Sequence, residues 1–176
     1  MNYKIRLAVR KDAVGIAQVH VTSWRETYSG TVDKKYLDNL SVEKHKNKWN
    51  EILSDKKNQS WTLVAKSAEG EIVGFASAGK ARETAEEPYE GELYCIYLLK
   101  KHQKNRLGFL LVKELCTTLK KNKIYNMYVG VLEDNESKTF YTKYGAEWFK
   151  SEEISIGNQT LTEEFYGWDS FDQFLQ

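Results

Sequence analysis

The stretch from Glu92 to Phe109 (ELYCIYLLKKHQKNRLGF) carries the chemistry most readily read from this sequence. Gly91–Leu99 is the most apolar run of the chain and predicts a buried central strand. It delivers a short polar, basic loop directly onto an amphipathic helix over Leu107–Leu119. In that helix Gly108, Leu111, Val112, Leu115, Cys116 and Leu119 share one face. A helix amino terminus presents unpaired N–H groups and the positive end of its dipole. Phosphate and pyrophosphate bind such places, and Lys100, Lys101, Lys104 and Arg106 add cationic side chains. A solvated basic turn is the competing reading, and spacing alone does not separate the two.

Metal chemistry is poorly served. Cys95 and Cys116 sit in apolar contexts without CxxC spacing and read as buried free thiols of a reducing cytoplasm. His20, His45 and His102 are scattered and lack HExxH spacing, so no metal site is expected.

The elements that must position the loop follow from period and punctuation. Lys4–Val9 predicts a first strand. Asp12 reads as the N-cap of a helix in which Ala13, Ile16, Ala17, His20, Trp24 and Tyr28 recur at helical spacing up to Ser29-Gly30. A second helical region runs from Lys34 to about Leu53. Ser60–Lys66 and Glu71–Lys80 alternate around Ala68-Glu69-Gly70 as a hairpin. The charged segment Lys80–Glu90 holds the only proline and reads as an exposed loop. Asn126–Leu132 predicts another strand, and Asn135–Tyr144 a short helix closed by Gly145 as its C′ residue. Ala146–Ile156 and Gln159–Trp168 pair through Gly157-Asn158. The order β-α-α-β-β-β-α-β-α-β-β, without repeat or linker, predicts one α/β domain with a mixed sheet over residues 1–176.

Gln103-Lys104-Asn105-Arg106-Leu107-Gly108 is similar to the Q/R-x-x-G-x-G/A acetyl-CoA loop of the GNAT superfamily of N-acetyltransferases. It matches at Gln103 and Gly108 and departs at Arg106, where the family usually has glycine. Lys100-Lys101 stands where a proline is common. Asn135-Glu-Ser-Lys-Thr-Phe-Tyr141-Thr-Lys-Tyr-Gly145 resembles the family's second signature, an Asn five residues before Phe-Tyr and then x-x-x-Gly. The segment from His20 through Trp24 and Tyr28 to Gly30 resembles the substrate-side helix of one branch, bacterial polyamine acetyltransferases among them. The order of elements matches over nearly the whole chain. If position 106 requires φ > 0, arginine is strained there by roughly 1–2 kcal/mol. If it does not, Arg106 is free to make a charge-assisted bond to a CoA phosphate.

The resemblance implies a single-domain GNAT-like acyl-CoA N-acyltransferase fold. It implies an acetyl-CoA-dependent enzyme acting on a primary amine, a polyamine or other small amine first, by direct attack in a ternary complex. The strand around Ile96, Tyr97 and Leu98 would splay from its neighbour and offer backbone groups to the pantetheine arm and the thioester carbonyl. Gln103, Lys104, Asn105, Arg106, Leu107, Gly108 and Phe109 would hold the pyrophosphate, and Asn135 would contact the CoA arm. Tyr141 would protonate the departing thiolate; alone, beside Phe140 and Tyr144, it reads as core packing. Glu92 is the candidate base or water-relay anchor for an ammonium of pKa ~10, against a solvated charge at a strand start. Unbroken alternation puts Glu92 on one face with Tyr94, Ile96 and Leu98. Trp24 and Tyr28 wall the acceptor pocket or belong to the core. Cys95, turned to the face opposite Ile96 with no histidine near it in sequence, is a poor ping-pong nucleophile. The alternative is a regulatory or binding module that keeps the fold and CoA without acetylating, favoured by Arg106.

Composition narrows the rest. With 41% hydrophobic and 29% charged residues in 176, wholesale disorder is excluded. A net charge of +1 and dispersed lysines leave no basic stripe for nucleic acid. No apolar run approaches the ~18–20 residues of a spanning helix. Met1-Asn-Tyr-Lys-Ile-Arg lacks a signal peptide's apolar stretch, which predicts a cytoplasmic protein without membrane contact. Glu83, Glu86, Glu87 and Glu90 suit a cationic acceptor or merely solvate their loop. The aromatic stretch from Phe165 through Trp168, Phe171 and Phe174 fits a homodimer interface or its own core.

Overall fold

The computed structural model describes residues 3–55, 57–82 and 88–176. Strand β1, Lys4–Leu7, is shorter than the sequence period suggests. The chain leaves it because Asp12 gathers the turn. Its carboxylate accepts from the Arg6 guanidinium at 2.6 and 2.8 Å and from the Val9 amide at 2.8 Å. Asp12 stands at the N-cap position of α1 (Ala13–Tyr28) but makes no side-chain capping bond to that helix. Its oxygens are already taken.

The single helical region expected up to Leu53 divides in two. Asp33 caps α2 (Lys34–Asp38) through Lys35 N at 2.9 Å. Ser41 starts α3 (Val42–Ser54) through Lys44 N at 3.3 Å. The hairpin of β2 (Ser60–Lys66) and β3 (Ile72–Lys80) turns at Gly70, whose φ of +88° explains the glycine. Then follow β4 (Gly91–Leu98), α4 (Leu107–Lys121), β5 (Met127–Leu132), α5 (Lys138–Lys143), β6 (Glu147–Ile156) and β7 (Gln159–Trp168). A short α6, Asp172–Leu175, comes after β7 and carried no periodic signal.

The strands form one sheet in the order β1-β2-β3-β4-β5-β7-β6. Neighbours are antiparallel except β4 and β5, which run parallel. Helices α1 and α3 cover one face, where Ile16, Ala17 and Trp49 meet Val64 and Phe75. On the other face the predicted stripe of α4 is buried: Leu107, Leu111, Leu115 and Leu119 pack with Leu63, Ala76 and Leu93. Each such leucine contributes about 1.5–3 kcal/mol by leaving water. Trp168, Phe171 and Phe174 lie in this same core, and Trp168 Nε1 donates to the Tyr144 carbonyl at 2.8 Å. Of the two readings of the aromatic stretch, packing within the chain accounts for these three side chains. No helix of the described residues is long and apolar enough to cross a membrane.

Candidate active site

Strand β4 leaves β5 almost as soon as it meets it. Their pairing among the described residues is Gly91 with Met127 and Glu92 with Tyr128. Beyond that point β4 follows β3 as far as Leu98 opposite Gly74, while β5 follows β7 as far as Leu132 opposite Glu163. The β5-facing backbone around Ile96, Tyr97 and Leu98 therefore has no strand partner. Gly91 lets the closed end fit, since a Cβ there would lie 2.8 Å from the Asn126 carbonyl oxygen.

A bulge sets which side chains face which way. Leu93 pairs with Ala78 and Cys95 with Ser77, which leaves Tyr94 as the extra residue. Leu93, Ile96 and Leu98 consequently all join the α4-side core, whereas Cys95, Tyr97 and Leu99 pack against the α1–α3 side. This corrects the expectation from unbroken alternation. Glu92, next to Leu93 in the pleat, points to the face opposite Ile96 and Leu98.

The loop after β4 is tightly wound. Gln103 Nε2 donates to the Leu98 carbonyl at 3.1 Å, fastening the loop to the strand end. Lys104 and Arg106 are both left-handed, with φ of 62° and 60°. Arg106 is the N-cap of α4, so the strained alternative is the one realised. Its guanidinium lies 5.6 Å from the Phe109 ring centroid. The amides of Leu107, Gly108 and Phe109 precede the first helical hydrogen bond, Leu110 N to Arg106 O at 3.0 Å. Left-handed residues leading into a helix turn successive N–H groups toward one concavity, a shape suited to an anion. A Cβ at Gly108 would make only ordinary contacts, 3.5 Å to Leu98 and 3.7 Å to Phe140. Nothing among the described residues requires glycine there.

Across the gap stand the residues of the second motif. Asn135 Nδ2 donates to the Tyr28 hydroxyl at 3.0 Å, and its carbonyl oxygen accepts from Ser137 N at 2.9 Å. Tyr141 is buried, edge-on to Trp168 with centroids 5.8 Å apart. Burial pushes its phenol well above the ordinary value, keeping the proton on. Tyr141 thus satisfies the packing reading, with a protonated hydroxyl on a residue of the expected frame. Trp24 Nε1 donates to the Tyr97 hydroxyl at 2.9 Å, and its ring lies 4.7 Å from that of Tyr28. His20 stacks on Tyr97 at 4.8 Å and is held neutral, its pKa lowered to about 3 by burial first, then by His45 and Lys48.

Glu92 is 2% exposed, so it is not a solvated charge. Its carboxylate accepts from Arg82 Nε at 3.0 and 2.9 Å, from Arg82 Nη2, and from the Arg82 amide at 3.3 Å. The Glu92 bond in turn raises the Arg82 pKa. Sequence reasoning missed Arg82 because it lies in a charged segment that reads as loop. The signal was the strand register, which sets Lys80 opposite Gly91 and so returns residue 82 to the start of β4. Burial pushes the Cys95 thiol up to about 12, in keeping with its poor standing as a nucleophile.

Of the four acidic loop residues, Glu83, Glu86 and Glu87 lie outside the described residues. Glu90 stands at the closed end of the β4–β5 pair, where its carboxylate accepts from Tyr125 N at 3.2 Å. It lines a cavity of about 660 Å³ with Trp61, Lys80 and Lys123, at the opposite end of β4 from the start of α4. Among the described residues no group of three His, Cys, Asp or Glu is placed to hold a metal ion.

Residues 17–146 match the acetyltransferase (GNAT) family. The chain belongs to that family. GNAT membership makes it an acetyl-CoA-dependent N-acetyltransferase, and the mixed sheet with its parted β4 and β5 is the GNAT fold. The uncharacterized N-acetyltransferase YuaI of Bacillus subtilis (strain 168) is 34% identical over 164 residues, covering 93% of this chain and 91% of that protein. The crystal structure of PaiA N-acetyltransferase from Thermoplasma acidophilum in complex with coenzyme A superposes with a TM-score of 0.71 at 24% identity. It covers 93% of this chain and 98% of its own. An N-acetyltransferase from Staphylococcus aureus Mu50 reaches a TM-score of 0.73 at 20% identity, over 96% and 99% of the two chains. At these identities the two structures speak for the fold alone. The residues present fit CoA: strand backbone without a partner, free amides at a helix start, and a glycine the chain itself does not need.

Proposed function

We propose that this GNAT enzyme acetylates a primary amine, a polyamine or other small cationic amine first, by direct attack within a ternary complex. The observation that carries the reading is the parting of β4 from β5 immediately before the left-handed loop that opens α4. The strand edge left without a strand partner and the start of α4 stand at the two ends of one short loop, a layout suited to an extended arm ending in a pyrophosphate. Acetyl-CoA supplies an activated acetyl group as a thioester. In this reading the backbone of Ile96, Tyr97 and Leu98 holds the arm, and an N–H there polarises the carbonyl. The segment Gln103, Lys104, Asn105, Arg106, Leu107, Gly108 and Phe109 holds the phosphates.

Tyr141 gives its proton to the leaving sulfur, a task suited to a phenol that burial keeps protonated. Asn135 orients the CoA side and, through Tyr28, the wall of the acceptor side. Glu92 anchors Arg82 and the polar network around it, and is better placed as the anchor of a water relay than as a free base. Trp24 and Tyr28 form the aromatic wall against which an alkylammonium packs. Arg106 adopts the left-handed turn that glycine would, so the departure from the motif leaves the loop intact.

Thiol release from acetyl-CoA, followed across a panel of diamines, polyamines, amino acids and peptide amino termini, tests this. Turnover is expected to be greatest with the di- and polyamines. Coenzyme binding without turnover on any amine would overturn it in favour of a binding module.

A further inference from the structure

Gly130 lies in β5 opposite Phe165 of β7, two pairs away from Leu132 and Glu163. A Cβ at Gly130 would come within 2.6 Å of Glu163 Oε1 and 3.1 Å of Phe165 Cε1. The Glu163 side chain therefore lies across space that the absent Gly130 side chain leaves open. Leu132, the pairing partner of Glu163, packs with Tyr28 from the carboxy-terminal end of α1. This places Glu163 on the face of the sheet that Trp24 and Tyr28 overhang.

Its neighbours are all accounted for. Glu164, on the other face, accepts from Lys138 Nζ at 3.1 Å and from the Tyr166 hydroxyl at 2.8 Å. Glu92 holds Arg82. Glu163 differs: although half-buried, its carboxylate has no hydrogen bond or ion pair among the described residues. Burial holds this carboxyl above the usual range. Arg82 and Lys150 pull it down and Glu92 and Glu152 push it up. A half-buried carboxylate with cations near it but none bonded to it is costly to keep ionised, and an arriving ammonium would reduce that cost.

We infer that Glu163 is an acceptor-binding residue, its carboxylate, seated in the space cleared by Gly130, taking a second ammonium of a diamine or polyamine. The inference rests on the reading of the acceptor as a small cationic amine and adds what selects it. An acceptor with a single amine has nothing to give Glu163. A diamine does.

The test compares putrescine with butylamine in the wild-type enzyme, Glu163→Gln, Glu163→Asp and Gly130→Ala. Loss of one charged hydrogen-bonded partner should raise the putrescine KM roughly ten- to a hundred-fold in Glu163→Gln. The kcat and the butylamine KM should stay within about threefold of wild type. Glu163→Asp should recover part of the loss, and Gly130→Ala, which displaces Oε1, should mimic it. If the wild type acetylates amines but Glu163→Gln leaves the putrescine KM within about twofold, the inference fails and the acetyltransferase reading stands. If the wild type acetylates neither amine, calorimetric titration of putrescine into the CoA complex decides. Binding that Glu163→Gln abolishes upholds this inference while the amine-acetylation reading falls; no binding by the wild type overturns both.

Discussion

The side-chain amide of Asn135 donates to the hydroxyl of Tyr28 at 3.0 Å, joining the turn after β5 to the carboxy-terminal end of α1. One residue belongs to the motif expected on the coenzyme side and the other to the wall expected on the acceptor side. Removing either partner of a neutral hydrogen bond costs about 1 kcal/mol. Tyr28→Phe should thus raise KM for both substrates by about fivefold. In a double-mutant cycle with Asn135→Ala, the coupling should be about 1 kcal/mol. Strict additivity would mean that the bond does no joint work.

Tyr141→Phe removes the hydroxyl and keeps the ring that packs on Trp168. A lost general acid should lower kcat roughly ten- to a thousand-fold with acetyl-CoA affinity nearly unchanged. Stopped-assay kinetics together with CoA titration separate the two. An unaltered kcat would leave Tyr141 as packing alone.

Arg106 holds a left-handed conformation that glycine adopts freely. Arg106→Gly and Arg106→Ala both delete the guanidinium, but only the first relieves the backbone. Urea unfolding should find the glycine variant more stable than the alanine variant by about 1 kcal/mol. If backbone amides carry the phosphate grip, neither should raise the acetyl-CoA KM more than about fivefold.

Glu92→Gln leaves Arg82 facing a neutral amide where it had a bidentate carboxylate. Because the Arg82 side chain left behind is largely exposed, loss of its charged partner should lower stability by about 1–2 kcal/mol. If Glu92 anchors a relay, kcat falls and its pH profile keeps its shape. A direct base would instead take one limb of the profile away.

Asp12 is held below the usual carboxylate range, first by its hydrogen bond to Arg6. Its folded pKa is thus lower than its unfolded one, so its contribution is present above about pH 4 and disappears as pH falls through the folded value. Asp12→Asn should cost about 1–3 kcal/mol at neutral pH and progressively less in acid. Denaturant midpoints of the two proteins should converge as pH is lowered.

The parts legible in the sequence were those set by local period. The leucine stripe of α4 is buried where spacing put it, and the hairpin turns fall at Gly70 and Gly157 with positive φ. What was not legible came from pairing between strands. The extra residue Tyr94 reverses the faces of β4, and no local pattern announces a bulge in a run that is apolar on both sides. That bulge puts Glu92 on the face opposite the one alternation predicts, while Arg82 lies in a charged segment that reads as loop. Glu163 and Gly130 sit in strands whose mutual register only tertiary structure supplies. Asp12 looked like a cap because caps are acidic, yet a longer reach to Arg6 claimed its oxygens.

The two-residue contact between β4 and β5 gives the sheet an internal edge. Edges elsewhere are exposed rims, open to any passing strand. This one lies inside the sheet, where β4 packs against α1 and α3 on one face and α4 on the other, so the chain that adds to it must carry its own polar groups. A bound arm of that kind acts as a missing strand, and its binding free energy becomes folding free energy by linkage, RT ln(1 + [L]/Kd). A coenzyme bound in this gap would therefore make the two halves of the sheet cohere most strongly while the enzyme is loaded.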